Sequence, residues 1–212
     1  MFAGLFAANI HRAPVRDYFE ELWQRLPERL EHPHWELRRR FLLGEVGPGK
    51  RVLDLGSGTG AFTAVLAEAG AEVVGAEVAQ AAIERAERAH PGLRFVLVPL
   101  EGPLPFEDHA FAVVWSSEVI EHVADTARWL SETRRVLAPG GRLLATTPNH
   151  GRVGILVHGL ERYSDPLSDH LHLYTRRSLA RLLAEFGFGE IEVRTAGGVP
   201  LMRPLLLARA AR

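Results

Sequence analysis

The chain has 212 residues, 47% of them hydrophobic and 24% charged, which is enough apolar material for one domain with a core of its own. Its 25 basic and 26 acidic residues leave a formal charge of −1, and that balance excludes nucleic-acid binding through a general basic field. It has no cysteine, which excludes disulfides, thiolate zinc sites and a cysteine nucleophile, and no stretch approaches the ~20 apolar residues of a membrane span.

Met1 to Ile10 is apolar but short and lacks the positive residues that precede a signal-peptide core, so a cytoplasmic protein is expected. Between residues 14 and 43, Tyr18, Phe19, Leu22, Trp23 and Leu26 recur at three- and four-residue spacing. Pro27 and Pro33 divide the segment into two or three short helices. Gly44-Glu-Val-Gly-Pro-Gly49 is a turn. A regular alternation follows, with strands at 51–55, 71–76, 93–98, 111–115 and 142–147 and helices at 61–69, 80–90 and 125–137. Apolar strands alternating with helices imply right-handed crossovers and a mainly parallel sheet. After a helix at 175–186, runs at 191–195 and 205–208 have no room for a crossover helix between them and should pair antiparallel. The expectation is an α/β fold in three layers, α/β/α, with seven strands. One domain spans 1–212, and the N-terminal helices and an insertion at 149–169 cap its substrate.

Asp54-Leu-Gly-Ser-Gly-Thr-Gly60 follows a strand and opens a helix. Glycines let a backbone turn sharply and approach a ligand, and this spacing also fits a dinucleotide loop. Asp54 tilts the choice, because a carboxylate there suits a ligand carrying an ammonium and a sulfonium and opposes a pyrophosphate. Glu77 ends the second strand, where it can accept from both hydroxyls of a ribose.

Val52-Leu-Asp-Leu-Gly-Ser-Gly-Thr-Gly60 resembles the first motif of the class I S-adenosylmethionine (SAM)-dependent methyltransferases. Leu104-Pro-Phe-Glu-Asp108, Glu118-Val-Ile-Glu-His-Val123 and Arg135-Val-Leu-Ala-Pro-Gly-Gly-Arg-Leu-Leu144 are similar to the later segments in their order, from about Lys50 to Ala208. The likeness is greatest to the small-molecule branch. It implies a Rossmann-like fold, SAM as cofactor with S-adenosylhomocysteine as product, and a small-molecule acceptor methylated on oxygen or nitrogen. Carried over by position, Asp54 and Gly56 hold the methionine end, and Ser57, Gly58 and Gly60 belong to the cofactor-binding loop. Glu77 holds the ribose, Val78 packs on adenine, and Ser116 adds to the cofactor site from the fourth strand. The sequence departs from the family at Pro99, where an acidic residue usually meets adenine, and at Ala112, where aspartate is usual; Glu101 or the backbone of Leu100 then meets the adenine. Two alternatives stay open: a non-catalytic SAM-binding protein and an NAD-dependent dehydrogenase.

Ser116-Ser-Glu-Val-Ile-Glu-His122 lies at the carboxyl edge of the sheet. If a helical turn begins there, Glu118, Glu121 and His122 share one face, a donor set that suits a divalent ion, and Asp169-His170-Leu-His172 can add a nitrogen. The run resembles metal-dependent O-methyltransferases of the ubiquinone pathway and of small-RNA 2′-O-methylation, which implies a metal held by Glu118, Glu121, His122 and His170. Metal-free relatives keep a similar Glu-His pair, and the metal-free reading is preferred, with His122 as general base or pocket wall. His11, His32, His34, His90, His109, His150 and His158 read as surface or pocket histidines, and Trp23, Trp35, Trp115 and Trp129 as core.

Overall fold

In the computed structural model of the protein, residues 15–28, 33–100, 102–151, 155–156, 170–199 and 202–212 are described. Before the sheet come α1 (Val15–Arg25) and α2 (Trp35–Leu43). The chain then runs through β1 (Arg51–Leu55), α3 (Ala61–Glu68), β2 (Glu72–Glu77), α4 (Gln80–Ala89), β3 (Arg94–Leu97) and β4 (Phe111–Ser117). It closes with α5 (Thr126–Val136), β5 (Leu137–Pro148), α6 (Arg176–Glu185), β6 (Gly189–Ala196) and β7 (Leu205–Ala211). The seven strands form one sheet in the order β3-β2-β1-β4-β5-β7-β6. Every pairing from β3 to β5 is parallel, and β7 pairs antiparallel with both β5 and β6. The expected seven-stranded Rossmann-like sheet with its antiparallel hairpin is present.

Period-two alternation along the strands divides the core between the two faces. Val52, Val113, Trp115 and Leu144 pack with Phe41, Leu42, Phe62 and Leu66, drawn from α2 and α3. Leu53, Leu55, Val114 and Leu143 pack on the other side with Leu130, Val136, Leu179 and Leu183, drawn from α5 and α6. Both layers are buried, as a parallel sheet requires.

The strand order places the site. From β1 the sheet grows first toward β2 and β3, then on the opposite side toward β4 and β5, so a crevice opens at the carboxyl ends of β1 and β4. Of the boundaries that differ from expectation, two bear on the site. β4 continues to Ser117, paired with Thr146. β5 begins at Leu137, paired with Phe111, and a register shift between Phe111 and Val113 absorbs Pro139-Gly-Gly141, so that stretch belongs to the strand.

Helix α1 docks across the chain. The backbone N–H of Ala81, in the first turn of α4, has no cap from its own Ala79, and Glu20 accepts from it at 3.1 Å. Arg85 of α4 donates in return to the carbonyls of Leu26 and Pro27, just past α1. Among the described residues no helix is long and apolar enough to cross a membrane.

Candidate active site

At the end of β1, Asp54 is 3% exposed and its Oδ2 accepts from Thr63 Oγ1 of α3 at 2.6 Å. Burial raises its pKa to about 7, against the Thr63 hydrogen bond and with help from Glu77. The loop that follows is anchored to β2: the amides of Gly56 and Ser57 donate to the carbonyl of Ala76 at 2.8 and 3.0 Å. Gly56 has φ +84°, and a Cβ there would lie 2.3 Å from Val119, so glycine is required both by conformation and by the close approach of the strand β4 loop.

Glu77 does more than the sequence suggested. Its Oε2 accepts from Gly58 N at 3.0 Å, and its Oε1 from Val78 N at 2.7 Å and Ala79 N at 3.3 Å. Burial raises its pKa while these three amides oppose the shift. A carboxylate offers about four acceptor positions, so this arrangement holds the glycine loop and leaves roughly one for a ligand hydroxyl.

A cavity of about 430 Å³ opens beside these groups, within the ~300–1,000 Å³ of small-molecule sites. Asp54, Gly56, Ser57, Gly58, Glu77 and Val78 line one end, and Leu100 closes it. Glu118 and His122 line the other end, and α1 supplies an apolar wall that includes Phe19, Leu22 and Trp23. Trp23 reaches the glycine loop, its Cη2 3.0 Å from where a Cβ on Gly58 would sit. Trp23 and Trp129 therefore face the cavity, Trp35 stacks half-buried on Phe62 at 4.5 Å, and Trp115 alone of the four is fully buried.

Two expected cofactor residues lie off the cavity. Ser116 is 1% exposed and donates to the carbonyl of Leu55 at 2.9 Å, tying β4 to β1; its neighbour Ser117 faces the cavity instead, as strand alternation dictates. Gly60, with φ +79°, lies under Phe95, 2.6 Å from where its Cβ would be, and serves helix–sheet packing. Glu101 lies outside the described residues, as do Asp169, His11, His32, His158 and most of the 149–169 insertion.

Past β4 no helix forms. Glu118 takes a left-handed backbone at φ 57°, and the chain turns, with His122 N donating to the carbonyl of Val119. The expected common helical face is thus replaced by a split. Glu118 accepts from Thr146 Oγ1 at 2.9 Å. Glu121, His122 and His170 instead bring donor atoms within 4.8 Å of one another. Glu121 is fully buried, Thr147 donates to its Oε2 at 2.8 Å, and its Oε1 sits 3.8 Å from His122 Nε2. Burial and then Glu118 raise Glu121 to about 8, and burial and then His122 lower His170 to about 4. The 170s are fixed by His172, whose N donates to the Glu121 carbonyl and whose Nε2 meets the Val123 carbonyl at 2.9 Å. His150, expected near a surface or pocket, is 1% exposed, with its ring 5.8 Å from that of His170.

Buried Glu121 Oε1 and His170 Nδ1 have no hydrogen-bond partner among the described residues. One carboxylate and two imidazoles fit a borderline divalent ion, which would hold Glu121 ionised and His170 neutral. Thr63, Thr147 and Arg38 of α2, which reaches Ser117 Oγ at 3.0 Å, are site residues the sequence reading missed. A threonine on the first turn of the helix after the glycine loop was a usable signal for Thr63; nothing local marked Arg38.

The sheet order, the antiparallel β7 and an acid-led glycine loop at the switch point define the fold of the class I SAM-dependent methyltransferases. The methyltransferase-domain family matches residues 16–193, and the chain belongs to it. It is 31% identical over 149 residues to the demethylmenaquinone methyltransferase of Tropheryma whipplei, covering 67% of this chain and 62% of that protein. Identity to the ubiquinone biosynthesis O-methyltransferase of Burkholderia pseudomallei is 29% over 171 residues, covering 76% and 74%. The chain spans less than two thirds of the length of several curated relatives that it matches. The Haemonchus contortus phosphoethanolamine N-methyltransferase 2, solved in complex with SAM, superposes with a TM-score of 0.74 at 20% identity, covering 95% of this chain and 60% of that one.

Proposed function

We propose that this chain, as one catalytic domain acting in the cytoplasm, transfers the methyl group of SAM to an oxygen or nitrogen of a small apolar molecule. The observation that carries the reading is a single cavity with Asp54 and the glycine loop at one end and His122 at the other. Two relatives whose names specify demethylmenaquinone and ubiquinone biosynthesis support an acceptor of apolar character, and the apolar wall from α1 agrees with it.

SAM brings a methyl group already activated on a sulfonium, so the protein's work is alignment, exclusion of water and care of one proton. Asp54, fixed by Thr63, accepts the ligand's ammonium, and the bare backbone at Gly56 and Gly58 admits its methionine end. Glu77 accepts a ribose hydroxyl, and Val78 and Leu100 flank the base. Trp23 closes the loop side against water. For an oxygen acceptor, the new O–CH3 bond forms as the S–CH3 bond breaks, and a ring nitrogen of His122 takes the acceptor's proton. A second reading is favoured by the orphaned donors of Glu121 and His170. These two and His122 would hold a divalent ion, which would supply a lowered pKa to an acceptor hydroxyl.

Calorimetry with S-adenosylhomocysteine and transfer of labelled methyl from SAM to a panel of hydroxylated and aminated ring compounds test the proposal. Micromolar binding and labelled product are expected. Protein that binds NAD in place of S-adenosylhomocysteine would overturn it, and tight binding without transfer to any acceptor would reduce it to a SAM-binding protein.

A further inference from the structure

Arg38 projects from α2 into the wall of the cavity that Asp54, Glu118 and His122 line. It is 4% exposed, and its guanidinium carbon stands 5.7 Å from the centre of the Phe62 ring. Burial pulls its pKa down while Glu118 and Glu121 pull it up, and an arginine under such forces stays charged. A guanidinium carries five N–H donors. Nη1 donates to Ser117 Oγ at 3.0 Å and Nη2 to the carbonyl of Pro33. The buried Nε–H has no acceptor among the described residues.

A side chain needed only to fill this space could be apolar at no loss, because a buried cation with unmet donors is costly. The surrounding wall from α1 is apolar, with Phe19, Leu22 and Trp23. Arg128, the other arginine lining the cavity, is exposed to solvent. Glu118 already balances the charge of Arg38, so an anionic ligand group meets an acid there, whereas a neutral oxygen meets a donor without that repulsion.

We propose that Arg38 binds the methyl acceptor by donating to a neutral hydroxyl or carbonyl oxygen on an otherwise apolar ring, and so selects which molecule is methylated. This rests on the methyltransferase reading above. Unmet donors on an apolar wall discriminate strongly, because an analogue lacking the oxygen leaves them unmet.

The test uses protein saturated with S-adenosylhomocysteine and three probes, 2-naphthol, 2-methylnaphthalene and 2-naphthoate, followed by quenching of tryptophan fluorescence. Wild type should bind 2-naphthol about tenfold more tightly than 2-methylnaphthalene, and more tightly than 2-naphthoate. In R38M the naphthol preference should shrink to within about twofold, with S-adenosylhomocysteine affinity within about twofold of wild type. A preference unchanged in R38M, absent in wild type or reversed toward naphthoate overturns the proposal. Should R38M not fold, wild type labelled with nitrogen-15 at arginine decides: a protected Nε–H resonance should move with 2-naphthol and not with 2-methylnaphthalene, and one that moves with neither overturns the assignment. Wild type that fails to bind S-adenosylhomocysteine strikes at the methyltransferase reading itself; intact binding with an overturning probe pattern strikes at Arg38 alone.

Discussion

The two ends of the cavity are built differently. The end proposed for the cofactor comes from one contiguous stretch, Asp54 to Ala79, and its acids are pinned: Asp54 by Thr63, Glu77 by three backbone amides. The end proposed for the acceptor gathers Arg38 from α2 with Glu118 and His122 from the turn after β4, and behind that wall His122 meets Glu121 and His170. At that end and behind its wall, Arg38 Nε, Glu121 Oε1 and His170 Nδ1 are buried without hydrogen bonds among the described residues, against Ser57 Oγ in the loop stretch. A site for an unchanging ligand can be satisfied in advance. A site for chemistry keeps polar groups in reserve, and the left-handed backbone of Glu118 lies beside them.

If that contrast is right, substitutions at the acceptor end spare cofactor affinity and destroy turnover. His122→Ala is expected to lower turnover about 10²–10⁴-fold while S-adenosylhomocysteine affinity stays nearly constant. EDTA separates the routes. Under the metal route it abolishes wild-type activity, Mg²⁺ or another divalent ion restores it, and Glu121→Gln and His170→Ala are as damaging as His122→Ala, whereas Glu118→Gln is milder because Glu118 stands outside the three-donor group. Without a metal role EDTA does nothing. A His122→Ala protein with wild-type turnover would sink both versions.

The converse applies at the cofactor end. Asp54→Ala should weaken S-adenosylhomocysteine by at least tenfold, the loss of one charge-assisted hydrogen bond worth about 1.5–3 kcal/mol. Thr63→Val should cost a smaller share of the same affinity, since it frees the carboxylate without removing it. Equal affinity in wild type and Asp54→Ala, measured by calorimetry, would take Asp54 out of the site.

That contrast also explains what was legible in the sequence. Strands, order of elements and glycine loop follow from local rules, namely period-two apolar runs, glycine at forced turns and crossovers of one hand. Asp54, Glu77 and the loop glycines could be singled out as neighbours in space because their partners lie within one βαβ unit. Ser116 was misplaced because β4 runs two residues further than its apolar run, and alternation then turns Ser117, not Ser116, toward the cavity. The metal face was misdrawn because a helix was assumed where Glu118 reverses the backbone. Arg38 was invisible because its contact with Ser117 spans 79 residues.

Asp54 also predicts a pH dependence confined to the cofactor end. Its folded pKa, raised by burial to about 7, lies above the ordinary aspartate value, so the folded apo protein holds a proton that the unfolded chain has lost. Stability from this group is therefore present at low pH and declines as pH rises from about 4 toward 7. A cationic ligand needs the ionised form, and S-adenosylhomocysteine affinity should rise about tenfold between pH 6 and 8 and flatten above. In Asp54→Asn the profile should be flat; a rise that survives the substitution assigns the proton elsewhere.

The smallest expected effect concerns Glu77, and it tests how fully the cofactor end is satisfied in advance. The carboxylate spends three of about four acceptor positions on Gly58, Val78 and Ala79, so it has room for one ribose hydroxyl while the loop keeps its amides. Glu77→Ala removes both functions. The loop part falls equally on S-adenosylhomocysteine and on its 2′,3′-dideoxy analogue, because neither ligand's hydroxyls hold Gly58. The hydroxyl part falls on S-adenosylhomocysteine alone. Comparing the two losses therefore isolates the ribose contact, which should appear as an excess of at most about tenfold, the ~0.5–1.5 kcal/mol net of one hydrogen bond whose acceptor already serves three amides. An excess well beyond that means Glu77 releases a backbone amide to grip both hydroxyls, and the loop rearranges on binding. Equal losses for the two ligands mean that Glu77 serves the loop and never touches the ribose.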